Sequence, residues 1–373
     1  MKFIKHNIFQ AFIITCVGLI LGITSIHKIL NLLDFSQSVN GGDFKMSDVY
    51  NIVAESRSMS TLNDEVAIVA LDGCNRTEIA DLLHIAQSSN PKAIGLDVLF
   101  INSYEGDSYL IDAIKSCPKL ILPIALDEQS GEMLGSYFYA DFDNLNLGVI
   151  NLDASSNNQC VRTFRPQFEY NGNKLNAFGV ELVSKSDSES YDHIITRQNS
   201  GEIISYPNIK FETICAKDIL TNPDLHKDKL SGKFVLMGDV ENTGDFHLTP
   251  ISSGTPGVVI HAHIIDTIIS NKYITNVSNK ISWLIAFIVC FAFMCIKLYI
   301  RDYSYKLGLL VMRIIQLASL YLFFAIGCNM FINKMLYIDF APTLLMITLA
   351  VFTYDIWTGS VTLIKIICKK ENA

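Results

Sequence analysis

The apolar positions of this chain fall into long runs and short ones. Residues 8–26 carry no charge over about 19 positions, enough to cross a hydrocarbon layer of ~30 Å as a helix. Residues 281–296 form a second run, extendable to Ile300 past Lys297. A third covers 314–331 and is entered through 307–312 and Arg313. A fourth covers 336–357 and is interrupted by Asp339 and Pro342. In lipid such runs must be helical, because no water is there to satisfy an open backbone.

Between the first and second long runs the pattern changes. Residues 65–72 are continuously apolar between charged ends and are followed by Gly73, which predicts a strand buried on both faces, as in a parallel sheet. Residues 76–87 place Ile79, Leu82, Leu83 and Ile85 at helical spacing, and Pro91 stops them. Residues 92–100 predict the next strand, 110–116 a helix and 119–126 a third strand, the alternation of βαβ units. In the middle, 147–152 and 160–165 predict strands joined by a polar turn at 155–158, and 175–184 a helix. Residues 211–220 predict a further short helix, 234–238 a last central strand, and 261–269 a final helix with Ile264, Ile265, Ile268 and Ile269 on one side. Residues 35–62 form a polar approach from the first span. The expected fold class is α/β: an extracytoplasmic domain with a mainly parallel sheet flanked by helices, plus four transmembrane α-helices, one N-terminal and three C-terminal. The boundaries are 1–30 for an uncleaved N-terminal anchor, 31–280 for the domain, 281–357 for three spans and 358–373 for a short basic tail.

Charge sets the orientation. Lys2 and Lys5 precede the first run, Lys297, Arg301, Lys306 and Arg313 surround the turn between the second and third, and Lys365, Lys369 and Lys370 follow the fourth. Four crossings put all three clusters on one side, the cytoplasm, so both termini are expected there and residues 31–280 outside an inner, multi-pass membrane protein. Residues 31–280 hold 18 Lys and Arg against 33 Asp and Glu, while the rest holds 11 against 4. An acidic exterior domain excludes nucleic acid as a partner, since phosphate binding needs clustered cations. The high apolar fraction, 50%, follows from the long runs. Of nine cysteines, Cys74, Cys117, Cys160 and Cys215 lie in the domain, where two disulfides in three connectivities are open.

Candidate chemistry sits where strands end. Asp72 closes the first strand, Asp97 lies late in the second and Asp239 closes the one at 234–238. Parallel α/β sheets bind ligands beyond the carboxyl ends of their strands, so three acids there suit a cation or a ligand amine. The competing reading is that they cap helices and accept backbone N–H bonds. Asp97 stands out, because an unpaired carboxylate in an apolar run is costly. Asp245, in the polar loop 239–247, and His261 complete the candidate ligand-binding set. His247, His261 and His263 invite zinc, but a helix splays two histidines at i, i+2, so no metal is expected. No nucleophile elbow, phosphate loop or His-Glu-x-x-His motif occurs, so neither enzymatic activity nor a cofactor is expected. Asp339 and Asp355, near the two ends of the fourth run, are the only hints of a channel or transporter.

Residues 66–72, 92–100, 211–220, 232–250 and 256–268, in this order after one span and before three, resemble the CHASE2 extracytoplasmic sensory domain family. The family often carries a tryptophan between its first strand and helix, where this chain has Gly73, Cys74, Asn75, Arg76 and Thr77. In the family pattern Asp245, Thr249, Pro250 and His261 are the matching positions. The resemblance implies a sensor or receptor that detects a small ligand or an envelope component outside. Because only 358–373 follow the last span, the signal is expected to pass to a separate cytoplasmic signalling protein. The lipid bilayer and a second copy in a homodimer are the further expected partners. A non-signalling scaffold of the envelope is the alternative, and a channel or transporter comes after it.

Overall fold

A computed structural model describes residues 2–32, 45–57, 59–127, 130–153, 160–206, 208–303 and 305–371. The expected polar turn at 155–158 lies outside the described residues, as does 35–44 of the polar approach. The chain divides into two units, Asn51–Ile274 and the pair Met1–Tyr50 with Thr275–Ala373.

Helices α1 (Lys2–Leu32) and α2 (Met46–Arg57) come first. Then β1 (Thr61–Ala70), α3 (Arg76–Ser88), β2 (Ala93–Leu96), α4 (Asp107–Lys115) and β3 (Leu120–Leu126) alternate, and β4 (Met133–Leu134) and β5 (Leu147–Val149) both pair with β3. Next come β6 (Thr163–Phe164), the hairpin of β7 (Gln167–Tyr170) and β8 (Asn173–Asn176), α5 (Phe178–Ser184), α6 (Ser188–Thr196) and β9 (Glu202–Ile203). The domain ends with β10 (Ile209–Cys215), α7 (Ala216–Thr221), α8 (Pro223–Leu230), β11 (Phe234–Gly238), the hairpin of β12 (Phe246–Thr249) and β13 (Ser252–Pro256), and α9 (Gly257–Ile269).

The sheet runs β10-β1-β11-β2-β3-β4 and every pair in it is parallel except β3–β4. Alternate residues of β1 and β11 feed different cores. Val66, Ile68, Phe234 and Leu236 join Phe178, Val258, Ile264 and Ile265 on the side of α5 and α9. Ala67, Val69, Val235 and Met237 join Leu82, Leu83 and Leu110 on the side of α3 and α4. Both faces are covered, which is why these strands read as unbroken apolar runs.

Two expectations are corrected. Residues 211–220 are not one helix: Ile209–Cys215 is the edge strand β10, and helix begins only at Ala216. As an edge strand it is half-exposed or exposed at all but one position, and Lys210, Glu212 and Thr213 interrupt its apolar residues, so it lacks the unbroken apolar run of the central strands. Residues 147–152 and 160–165 do not pair with each other. β5 lies parallel to β3, and β6 pairs with β9. The four domain cysteines carry no disulfide, and Cys117 and Cys160 are buried.

In the other unit, β14 (Thr275–Asn276) pairs with β15 (Leu336–Tyr337), and three long helices follow the domain: α10 (Asn279–Tyr303), α11 (Tyr305–Lys334) and α12 (Ala341–Glu371). Their stretches Asn279–Arg301, Leu310–Lys334 and Ala341–Leu363 are each long and apolar enough to cross a membrane. The described apolar stretch of α1, Asn7–Ile23, is shorter. Its Ala11 and Ile14 are buried with Ala286, Cys290, Met346 and Ala350. The architecture is thus a mixed α/β domain with a mainly parallel sheet and three C-terminal apolar helices.

Candidate functional site

Since β1, β11 and β2 are parallel neighbours, their carboxyl ends lie side by side, and each ends within two residues of an aspartate. The three acids do different things. Asp72 accepts the backbone N–H of Val240 at 3.1 Å and of Glu241 at 2.8 Å, so it is spent on holding the loop after β11. Asp239, half-buried, is raised by burial and by the neighbouring charge of Asp72, against a hydrogen bond from Asn242 that lowers it. Asp97 is anchored by its own N–H donating to the Met237 carbonyl at 2.7 Å, and its side chain is only 10% exposed. Burial first, and then the charges of Asp245 and Asp239, push its carboxyl up to about 7.

Helix α9 brings the other half. It starts at Gly257, whose N–H donates to Asp245 Oδ2 at 3.2 Å. A side chain on residue 257 would put its Cβ 2.6 Å from that same oxygen, so Asp245 occupies the space a larger residue would need. The other Asp245 oxygen lies 3.3 Å from His247 Nε2. One turn into α9, His261 is buried, with Nε2 at 4.0 Å from Asp97 Oδ2 and its ring edge against Phe178 at 5.2 Å between centroids. Its Nδ1 has no hydrogen-bond partner among the described residues. Burial pushes this imidazole down to about 4, partly opposed by the charge of Asp245. Near neutral pH, therefore, the histidine is uncharged and Asp97 is the member of the pair that titrates.

Asp97, Asp239, Asp245 and His261 thus converge, with His247 beside them, where β2 and β11 end and α9 begins. His263 is splayed away, as expected for i, i+2 on a helix, and packs against Tyr206 and Phe211 at 5.0 and 4.9 Å. No group of three or more metal-ligating side chains with suitable geometry occurs among the described residues. The arrangement offers one buried carboxyl, Asp97, behind the half-exposed Asp239 and Asp245, a set that can exchange a proton or receive a cationic group.

A second polar cluster had no local signal in the sequence. Arg76, in the first turn of α3, pairs with Asp107 at the start of α4 at 2.5 Å and lies 4.6 Å over the Phe100 ring. Tyr137 Oη donates to the other Asp107 oxygen at 2.5 Å. In the helical unit, Asp339 Oδ1 accepts the N–H of Ala341 at 2.9 Å and so caps α12.

The model of the CHASE2 domain, an extracytoplasmic sensory domain family, matches residues 42–296, well over half the chain, and the chain belongs to that family. None of the curated proteins or solved structures compared with it matches.

Proposed function

We propose that this chain is a membrane-anchored extracytoplasmic sensor. Its receiving site is the cluster of Asp97, Asp239, Asp245 and His261, and its response is carried by α9 and the segment 270–278 toward α10, for a separate cytoplasmic protein to read. The observation that supports this most directly is that the cluster closes on the first turns of α9. Asp245 holds the N–H of Gly257, and Asp97 faces His261. A proton or a ligand amine arriving among these acids changes the charge at the start of that helix, where the field of the helix dipole is strongest. Membership of a sensory domain family supports the same reading. In this proposal α1 is a fourth span, and the basic clusters place both termini in the cytoplasm and the α/β domain outside.

Crosslinking the full-length protein in native membranes, followed by mass spectrometry of what it captures, tests the relay. The comparators are the Asp97→Asn variant and a chain truncated after Trp357. Recovery of a cytoplasmic signalling protein whose yield falls in both comparators is the expected result. Recovery of envelope proteins alone, at equal yield in all three, would mean a scaffold.

A further inference from the structure

Asp97 differs from the other buried acids. Asp48, Asp107, Glu202 and Asp266 each accept at least one hydrogen bond, from the N–H of Lys45 and from the side chains of Arg76, Arg197 and Asn63 respectively. Among the described residues no donor reaches either side-chain oxygen of Asp97, and His261 Nε2 stands off at 4.0 Å. The titratable groups around it come from three elements. His261 is on α9, Asp239 ends β11, and Asp245 and His247 follow on the next loop; Asp72, after β1, acts on Asp239. None is a lysine or an arginine. A carboxylate so placed has neither donor nor fixed counter-charge, and keeping its own proton removes the cost. The packing behind it is close. A Cβ on Gly238 would lie 3.0 Å from Val258 Cβ and 3.4 Å from Asp97 Cβ, so β11, Asp97 and the first turn of α9 touch.

We propose that the ligand of the receiving site is the proton itself, taken up by Asp97, so that the domain reports the acidity of the compartment it faces. This rests on the sensory reading of the cluster and narrows it. An ammonium group can approach Asp239 and Asp245, but Asp97 lies behind them. The switch is Asp245, which holds the Gly257 N–H at 3.2 Å and is 47% exposed at the side chain, free to turn outward. That N–H is in the first turn of α9 and has no partner within the helix. While Asp97 is protonated, Asp245 stays in place. When Asp97 releases its proton to water, a buried negative charge faces Asp245, and the more exposed carboxylate yields. The first turn of α9 then loses its anchor.

Infrared spectroscopy of the full-length protein in lipid nanodiscs reads the proton as the carbonyl band of an un-ionised carboxylic acid. The wild type should lose one component of that band with a midpoint at about 7, and Asp97→Asn should lack this component. Hydrogen exchange read by mass spectrometry, corrected for its intrinsic pH dependence, follows the consequence. Over the same titration, wild-type peptides covering 245–260 should lose protection by about tenfold. Asp97→Asn should stay protected throughout, because a neutral group faces Asp245. Asp245→Asn should also stay protected, because it keeps an acceptor on the Gly257 N–H without a charge to repel, and it decides the matter if Asp97→Asn fails to fold. Wild-type protection that does not change with pH, or an acid band identical in Asp97→Asn, would overturn the proposal. Methylammonium added at constant pH should alter neither reading. Methylammonium that raises protection in the wild type but not in Asp245→Asn would assign the site to amines and leave the sensory reading standing. A pH response as expected, with equal capture of the cytoplasmic partner by the wild type and Asp97→Asn, would uphold the proton and remove the relay.

Discussion

Asp97 and His261 titrate in opposite senses over the same range. Asp97, raised from 3.8 to about 7, keeps in the folded chain a proton that the unfolded chain has released. Its contribution to stability is complete below about pH 4 and is lost as pH rises toward 7. His261, lowered from 6.5 to about 4, refuses in the folded chain a proton that the unfolded chain accepts. Its contribution is complete above about pH 6.5 and is lost as pH falls toward 4. Between those limits the two slopes oppose each other. Asp97→Asn leaves the histidine uncompensated. The variant should therefore lose stability on acidification from pH 6.5 to 4, on the order of 3 kcal/mol at about 1.4 kcal/mol per pKa unit, while the pair in the wild type adds little slope. Above pH 7 the variant should be the more stable of the two. Denaturation midpoints across this range measure both, and parallel profiles would remove the pair from the account. Gly257 makes a second test at this scale. Alanine there meets both Asp245 oxygens, at 2.6 and 3.0 Å, so the half-exposed carboxylate must swing aside and release the residue 257 N–H, and Gly257→Ala should cost on the order of 1 kcal/mol. In an Asp245→Ala background the obstacle is gone and helix propensity favours alanine, so the same change should become neutral or stabilising. A double-mutant cycle on unfolding midpoints reads the difference directly.

At the scale of elements, α3 and α4 are pinned together at their N-termini. Arg76 and Asp107 are 13% and 9% exposed at the side chain, and Asp107 also takes the Tyr137 hydroxyl and the N–H of Tyr104. Asp107→Ala strands a largely buried guanidinium and two donors and should cost about 3–5 kcal/mol. Removing both charges together, with Arg76→Met and Asp107→Leu, should cost less than the single change. Thermal unfolding of the two variants decides this. Such a pair was not legible in the sequence, because its members are 31 positions apart and neither sits in a periodic pattern. The central strands were legible for the opposite reason. Val66–Val69 and Phe234–Met237 are buried on both faces, and only an unbroken apolar run satisfies that. β10 was missed because an edge strand has one side free, so polar residues interrupt its apolar ones, a mixture that also fits a short helix. The three strand-end acids could be listed from the sequence, since they follow apolar runs. That Asp72 is spent on the loop at Val240 while Asp97 faces His261 depends on contacts across the sheet and could not be read from spacing.

For the whole molecule, the question is which side of the membrane the α/β domain occupies, and the chain carries a native reporter. Cys215 ends the edge strand β10 and is exposed, whereas Cys117 and Cys160 are buried. Cys74 is half-buried, and burial pushes its thiol up to about 11, which leaves little thiolate at neutral pH. Cys215 is therefore the domain thiol expected to react first. If the basic clusters set the orientation, a membrane-impermeant maleimide added to intact cells after a mild reductant should label the full-length protein. Cys215→Ser should abolish most of that labelling, and permeabilising the cells should add little at this position. Labelling of Cys215 only after permeabilisation would put the domain in the cytoplasm. The acid cluster would then face the cytoplasm, and an extracytoplasmic sensor would no longer be a tenable reading of this chain.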